Sequence, residues 1–269
     1  MLFPDRALAQ RLETTAALGV VEQTHVLRQL APESGAQVQP LADGYAVAMG
    51  AAFPVNRAVN LGMSGPVSTA DLDRMEAFFR SIGVPAQVDL CPFADSSLAD
   101  FLGRRGYRIV QFFNVHIRAV TPDDARPAPP SDVRIFVADT PDVWTRTVAS
   151  GFSGRSDISS NDQALARAAF ERPDVRCFLA QIGTEIAGAG ALAVRDGVGT
   201  LFSTSTQPAF RRRGVQMALM QARIAVAAEL GCDLMTVQTS PPGNASQRNV
   251  QRAGFRIAYT KPILMREWS

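Results

Sequence analysis

Apolar residues recur at regular spacings along the second half of the chain. Trp144, Val148 and Phe152 repeat every four positions, which predicts a helix with Trp144 and Phe152 in the core. A longer apolar face begins at Val215 and stops at Gly231, a residue typical of helix ends. Short apolar runs bounded by turn residues predict strands. The predicted helices are 140–152, 161–170, 215–230 and 244–253; the predicted strands are 133–137, 176–182, 185–194, 199–206, 234–239, 255–259 and 263–266.

The first half opens with a helical pattern, from about Pro4 to Leu30, and then resembles a faint copy of the second half. A shift of 148 residues pairs Gly83 with Gly231 and Gly106 with Gly254. The same shift places GRRGYRI over QRAGFRI, and the order of predicted elements agrees on both sides. This correspondence predicts an internal duplication.

A proline-rich segment separates the two halves. Residues 120–132 hold four prolines and show no apolar periodicity, which is typical of a stiff linker. The sequence therefore predicts two domains, residues 1–119 and residues 133–269, joined by this linker.

Composition narrows the function classes. The chain is 46% apolar and carries a formal net charge of only +2, which disfavours a nucleic-acid binder. Three cysteines and two histidines show no metal-ligand spacing, so we expect neither a disulfide framework nor a metal site. No apolar run is long enough to cross a membrane, and the start does not look like a signal peptide. We expect a cytoplasmic protein whose oligomeric state stays open.

The segment Arg211–Met217 carries the clearest chemical signal. A predicted strand ends before it, three arginines follow, and Gly214 opens a predicted helix. The first amides of a helix have no intrahelical partner and lie at the positive end of the helix dipole. Glycine lets the backbone approach a ligand, and arginine suits phosphate geometry. This segment therefore predicts a phosphate site.

These residues resemble a motif of the GCN5-related N-acetyltransferase (GNAT) superfamily, in which Arg or Gln, two residues, Gly, one residue and a small residue bind the pyrophosphate of acetyl-CoA. Gln216 departs from the small residue at the last position. The resemblance implies that the preceding strand pairs its backbone with the pantetheine arm. The residues assigned to the cofactor in this way are Thr204, Ser205, Thr206, Arg211, Arg212, Arg213, Gly214, Val215, Gln216 and Met217.

A second resemblance lies in the polar helix that ends at Gly254–Phe255. In the superfamily this helix lies beside the pantetheine, which implies that Asn244 or Asn249 bonds that arm; Asn244 equally suits a helix cap. A tyrosine often stands four residues before the glycine as general acid, but this chain has Val250 there. Tyr259 is the remaining acid candidate, although an ordinary strand tyrosine would look the same. The general base is unidentified.

The resemblance implies an α/β (α+β) fold with two GNAT-like domains. Each has a mixed, mostly antiparallel twisted sheet flanked by helices, with strands splayed at the cofactor site. The counterpart of the phosphate motif in the first half, Leu61–Val67, has no arginine before its glycines. The first domain is therefore expected to be degenerate and to lack the CoA motif. His116 aligns with strand residues and is expected to be structural.

The implied function is an acetyl-CoA-dependent N-acetyltransferase that acts on a primary amine of a small molecule or peptide by direct transfer. A non-catalytic acyl-CoA-binding or regulatory protein is the alternative, since the usual acid is missing and no carboxylate base stands on the 200–206 strand. A third possibility is an aminoacyl- or peptidoglycan-type transferase built from two such domains.

Overall fold

The computed structural model describes residues 3–126, 132–153, 158–240 and 245–268. The chain divides into two compact units: unit 1 is Met1–Val115 with Ile257–Ser269, and unit 2 is His116–Arg256. This division differs from the predicted linker at residues 120–132. The strand Arg108–Ala119 runs across the division between the units at Val115, and the last strand of the chain belongs to unit 1. Five residues of the predicted linker, 127–131, lie outside the described residues, and Pro122–Ala125 before them form a short 3-10 turn.

Among its described residues, unit 1 has three α-helices and a mixed sheet. The elements are α1 Arg6–Leu30, β1 Gln37–Leu41, β2 Gly44–Ala48, β3 Asn56–Val59, α2 Thr69–Ile82, β4 Ala86–Asp89, α3 Ser96–Arg104, β5 Arg108–Ala119 as far as Val115, and β11 Arg256–Arg266 from Ile257. The strands follow the order β1-β2-β3-β4-β11-β5. Neighbours pair antiparallel at β1–β2, β2–β3 and β4–β11 and parallel at β3–β4.

Unit 2 repeats this plan. Its elements are β6 Val133–Val137, α4 Pro141–Ser153, α5 Ser160–Phe170, β7 Val175–Ile182, β8 Glu185–Arg195, β9 Val198–Thr206, α6 Val215–Glu229, β10 Leu234–Thr239 and α7 Ala245–Arg252. The strands follow the order β5-β10-β9-β8-β7-β6. The β6–β7, β7–β8 and β8–β9 pairs are antiparallel, and β9–β10 is parallel. The predicted mixed, mostly antiparallel sheets with flanking helices are confirmed.

Helix α6 packs its apolar face on the sheet of unit 2. Val215, Leu219 and Ile224 join strand residues such as Leu192 and Leu201 in one buried cluster. Burying apolar surface stabilises the folded state by about 25 cal/mol per Å². Because buried residues occur along α6, contacts along the helix hold it on the sheet. Its amino end is thereby fixed at the carboxyl end of β9.

Glycines mark the corresponding chain reversals of the two units. Gly83 after α2 and Gly231 after α6 both have a φ of 74°. Gly106 and Gly254, which precede β5 and β11, have φ values of 74° and 86°. These left-handed conformations are accessible to glycine at little cost, which explains why the glycines stand at matching places in both halves.

Strand β11 is one element where the sequence predicted two. Pro262 lies inside it and donates no hydrogen bond, yet its carbonyl accepts one from the Leu90 amide at 3.0 Å. Proline therefore keeps its place in the ladder as an acceptor. Among the described residues, no helix combines the length and apolar character that a membrane crossing needs.

Candidate functional site

Helix α6 begins at Gly214, which is its N-cap residue and has no side chain to cap the helix. Among the described residues, no side chain makes a capping bond at this helix end. The first intrahelical bond runs from the Ala218 amide to the Gly214 carbonyl, at 3.0 Å. The amides of Val215, Gln216 and Met217 therefore stay outside the helical ladder. Together with the helix dipole they create a site of positive potential that suits an anion.

Gly214 is required at this point by its conformation. Its φ of 80° lies in the left-handed region, which favours glycine. A Cβ at this position would meet no described atom within 4 Å, so the space beside the residue is open. A side chain there would be strained and would also project into that space.

The preceding loop adds guanidinium groups to this helix end. Pro208–Phe210 form a single 3-10 turn, and three exposed arginines follow. Arg213 lies over the Phe210 ring, with its Cζ 5.4 Å from the ring centroid. Arg212 has a φ of 63°, a value rare outside glycine. The loop thus holds a sharply turned backbone immediately before the uncapped helix.

Strands β9 and β10 part before either strand ends. Their parallel pairing stops at Leu201 and Val237, although β9 continues to Thr206 and β10 to Thr239. The register of β9 against β8 shifts at the same level, and Ser203 there has a φ of 48°, which marks a bulge. The predicted splay is confirmed. The end of β9 presents backbone N–H and C=O groups that β10 does not pair.

These elements enclose a cleft of about 990 Å³ within unit 2. Its walls are the end of β9, the arginine loop, the first turn of α6, the end of β10, one face of α7 and the end of α4. Ten of the residues predicted to hold the cofactor line it: Thr204, Ser205, Thr206, Arg211, Arg212, Gly214, Val215, Gln216, Met217 and Asn249. Arg213 is not among the lining residues, and Asn244 lies outside the described residues.

Other lining residues were missed by the sequence motifs. Phe152 was expected in the core beside the fully buried Trp144, but it is 67% exposed and lines the cleft. Its helix reaches the cleft with its last turn, which helical spacing alone does not reveal. The remaining lining residues come from the loop before α6, from α4, from β10 and the residue after it, and from α7: Phe210, Gly151, Gln238, Thr239, Ser240, Ser246, Arg248 and Arg252.

The cleft is lined by cations without compensating carboxylates. Arg211, Arg212, Arg248 and Arg252 all contribute to its walls, and the described lining residues include no Asp or Glu. Such an arrangement attracts a ligand with several negative charges. Within the described ranges, no three His, Cys, Asp or Glu side chains gather closely enough to hold a metal ion.

Gln216, which departs from the family pattern, connects α6 to α7. Its Nε2 donates to Ser246 Oγ at 3.0 Å, and its Oε1 accepts from Asn249 Nδ2 at 2.7 Å. The longer side chain therefore lies against α7 and forms a polar bridge. Asn249 is engaged by Gln216 here, which gives a local reason for an asparagine in the middle of that helix.

Ser205 has a structural contact with α4. Its hydroxyl donates to the Thr147 carbonyl of α4 at 3.0 Å, and the residue is 5% exposed. A Cβ on Gly151 would lie 2.4 Å from Ser205 Cβ, so α4 approaches β9 closely only because residue 151 is glycine. Ser205 thus fixes the α4 wall of the cleft.

The placement of Tyr259 argues against its expected role as general acid. It belongs to unit 1, is 7% exposed and is not among the residues that line the cleft. Its hydroxyl donates to Glu13 at 2.7 Å. Burial, followed by the Glu13 carboxylate, raises the pKa of Tyr259 well above its usual value. The sequence could not reveal this, because the strand carrying Tyr259 pairs within unit 1.

Comparisons with known proteins agree with this geometry. The acetyltransferase (GNAT) family model matches residues 144–255. A GCN5-related N-acetyltransferase from Kribbella flavida superposes with a TM-score of 0.70 at 18% identity, covering 97% of this chain and 96% of that one. A tandem GNAT protein from the clavulanic acid biosynthesis pathway gives 0.61 at 14% identity, with 83% and 78% covered. No curated protein matches the sequence significantly.

The chain has the fold of GNAT proteins, and part of its second half matches the GNAT family model. Residues 144–255 form a GNAT domain, and the N-terminal domain is GNAT-like by fold, so the chain is a tandem of the two. The family is one of acetyltransferases, and acyl-CoA-dependent acetyl transfer is the general chemistry that the match supports.

Proposed function

We propose that this chain transfers an acetyl group from acetyl-CoA directly to a primary amine of a small molecule or peptide. One observation carries the proposal: an uncapped, glycine-opened helix end and a parted pair of strands line the same cleft. A diphosphate and a thioester arm are the two ends of one ligand that would use both features together.

The phosphate end of the ligand is assigned to α6. The amides of Val215, Gln216 and Met217 would donate hydrogen bonds to phosphate oxygens, and Arg211 and Arg212 would add charge-assisted bonds. The described lining residues include no carboxylate, which supports this assignment, since a carboxylate would repel the ligand.

The thioester end is assigned to the end of β9. There the backbone of Thr204–Thr206 lies beyond the last β9–β10 pair and can bond an extended arm. A backbone amide directed at the thioester carbonyl would stabilise the charge that develops on that oxygen, and one such donor contributes about 3 kcal/mol in known enzymes. Holding amine and thioester together supplies much of the remaining acceleration.

Calorimetry with a glycine variant tests the phosphate assignment. Gly214→Glu places a strained, negatively charged side chain before α6, and we expect no measurable acetyl-CoA binding. Gly231→Glu is the matched control, because Gly231 stands at the other end of the same helix with a φ of 74° and equally open surroundings. Wild-type affinity in the Gly214→Glu protein would refute the assignment.

A non-catalytic acyl-CoA-binding protein is the second candidate. Two observations favour it: no described lining residue is a carboxylate, and the position of the family's usual acid is Val250, which is 1% exposed. A panel of primary amines incubated with acetyl-CoA, with release of free CoA as the readout, separates the two. Tight binding of acetyl-CoA without release of CoA across the panel would favour this second candidate.

A further inference from the structure

His116 in β5 is fully buried, with 0% exposure. Its Nε2 lies 3.0 Å from Thr239 Oγ1, and its Nδ1 has no hydrogen-bond partner among the described residues. A buried polar atom without a partner lowers stability, so an apolar residue would serve a purely structural purpose better. The sequence predicted a structural role, and the structure gives this side chain a more specific contact.

Thr239 connects the His116 ring to the cleft. It is the last residue of β10, where the strand has already parted from β9, and it is one of the residues that line the cleft. The residue is only 6% exposed. Thr239 therefore lies in a wall of the cleft, and its hydroxyl has the imidazole as a bonded neighbour.

A neighbouring hydrogen bond fixes the geometry of this pair. Thr236 Oγ1, three residues earlier on β10, donates to the His116 carbonyl at 3.0 Å. The backbone of β5 is therefore held against β10 at the level of the ring. The Nε2–Oγ1 contact follows from a fixed strand arrangement and does not depend on a loop.

The ring is neutral at pH 7. Burial lowers the pKa of His116 below its usual value of about 6.5, and no charged side chain contributes to the shift. The β10 side chains bonded to His116 are the uncharged Thr236 and Thr239. A neutral imidazole can accept a proton, which none of the four arginines that line the cleft can do.

We propose that Thr239 and His116 form the proton relay of the acetyl transfer, with His116 as the base that acts through the Thr239 hydroxyl. The inference rests on the proposed function and supplies the base that the sequence left unidentified. Nε2 must then be the acceptor nitrogen, which places the ring proton on Nδ1.

The relay accounts for the proton that the amine loses and for the proton that the sulfur gains. As the C–N bond forms, the amine nitrogen gives a proton to Thr239 Oγ1 while the hydroxyl proton passes to His116 Nε2. As the C–S bond breaks, the same proton returns through the hydroxyl to the sulfur, which leaves as the CoA thiol. The unpartnered Nδ1 favours this return because nothing stabilises the imidazolium. A separate general acid at Val250 is then unnecessary.

Nitrogen-15 NMR tests the required tautomer without any acceptor substrate. The chain has two histidines, and a His25→Gln variant assigns the signals of the other. We expect an unprotonated Nε2 and a protonated Nδ1 at neutral pH, and a shifted Nε2 signal in Thr239→Val. A protonated Nε2 in the wild-type protein would overturn the relay.

Kinetics with the amine that releases the most CoA test the chemical role. Thr239→Val keeps the side-chain shape but removes the hydroxyl, and we expect kcat to fall by about 100-fold or more. KM for acetyl-CoA should stay within about twofold. Thr239→Ser should recover most of the lost kcat. In the wild type, kcat/KM should decline as His116 protonates below about pH 6.5, and the valine variant should lose this decline.

Thr24→Val is the control, because it removes a buried hydroxyl that bonds the Val20 carbonyl of α1 in unit 1 and has no contact with the relay. It should keep wild-type kcat even if its melting temperature falls. Wild-type kcat in Thr239→Val, or equal losses in the serine and valine variants, would refute the relay. Failure of the wild-type protein to bind acetyl-CoA in calorimetry would instead refute the proposed function.

Discussion

Helices α2 of unit 1 and α6 of unit 2 hold corresponding places in the order of elements, but their amino ends differ. In α2, Ser68 Oγ accepts from the Asp71 amide at 3.1 Å, and the Asp71 carboxylate accepts from the Ser68 amide at 3.1 Å. This capping box uses first-turn amides internally and adds a negative charge. In α6, Gly214 provides no cap and arginines precede the helix.

The turn after β3 in unit 1 is closed in the same manner. The Asp43 carboxylate accepts from the Gly62 amide at 2.8 Å and also from the Ser64 amide. These amides belong to Leu61–Val67, the counterpart of the arginine loop. Unit 1 therefore binds its own carboxylates where unit 2 leaves donors open. The fold alone does not make a phosphate site; a few residues at one helix end decide it.

Removing a buried charge from unit 1 should have the largest effect, which is a loss of stability. Lys261, 1% exposed, pairs with Glu13 at 2.9 Å and Asp89 at 3.2 Å. Burial alone would lower the pKa of Lys261, but these two carboxylates outweigh it and raise the pKa, so the pairs persist at pH 7 and weaken only in strong alkali. Lys261→Met leaves both carboxylates without their cation and should reduce the free energy of unfolding by about 3–5 kcal/mol.

Denaturant unfolding measures this loss, and Arg126→Met is the control. Arg126 pairs with Asp123 on the surface, where both side chains are exposed, so its loss should change stability by about 0–1 kcal/mol. Equal effects of the two variants would show that the buried pairs do not stabilise unit 1.

Giving α6 a charge like that of α2 should have the next largest effect. Met217 stands at the third position of α6, where α2 carries Asp71. Met217→Asp should weaken acetyl-CoA binding by roughly 50-fold, because a carboxylate in the first turn repels the diphosphate at an effective dielectric constant of about 20. Met217→Asn, similar in size but neutral, should lose much less affinity in the same titration. Equal losses would attribute the effect to shape.

Removing the negative charge of the capping box should have the smallest effect on the free energy of unfolding. Its hydrogen bonds, led by those from Ser68, lower the pKa of Asp71, so its contribution is present above the unfolded value near 3.8 and lost as pH falls further. Asp71→Asn should reduce the free energy of unfolding by about 0.5–1 kcal/mol at pH 7. The difference from wild type should shrink steadily as pH falls below 3.8. A difference that persists in acid would contradict an ionic origin.

Local patterns predicted the elements of the site well. Val133–Val137 and Leu234–Thr239 were predicted with the bounds that the structure has, because short apolar runs between turn residues leave little choice. The uncapped start of α6 followed from Gly214 and its arginines. These features depend on residues within a few positions of one another.

Features that depend on distant partners were not predictable in this way. His116 and Thr239 meet across 123 positions, and Tyr259 bonds Glu13 across 246. The strand that carries Tyr259 continues through Pro262 because the Leu90 amide gives that carbonyl a partner. Each contact is decided by which strands become neighbours, and no local spacing encodes that choice.

Because Ile257–Ser269 belong to unit 1, this unit cannot be completed early in protein synthesis. When the ribosome has made β1 to β5, unit 1 still lacks the strand that pairs with β4. It can complete its sheet only after all of unit 2 has been translated, although domains usually fold in the order in which they emerge. A premature stop codon within β11 would therefore damage the first unit to be made.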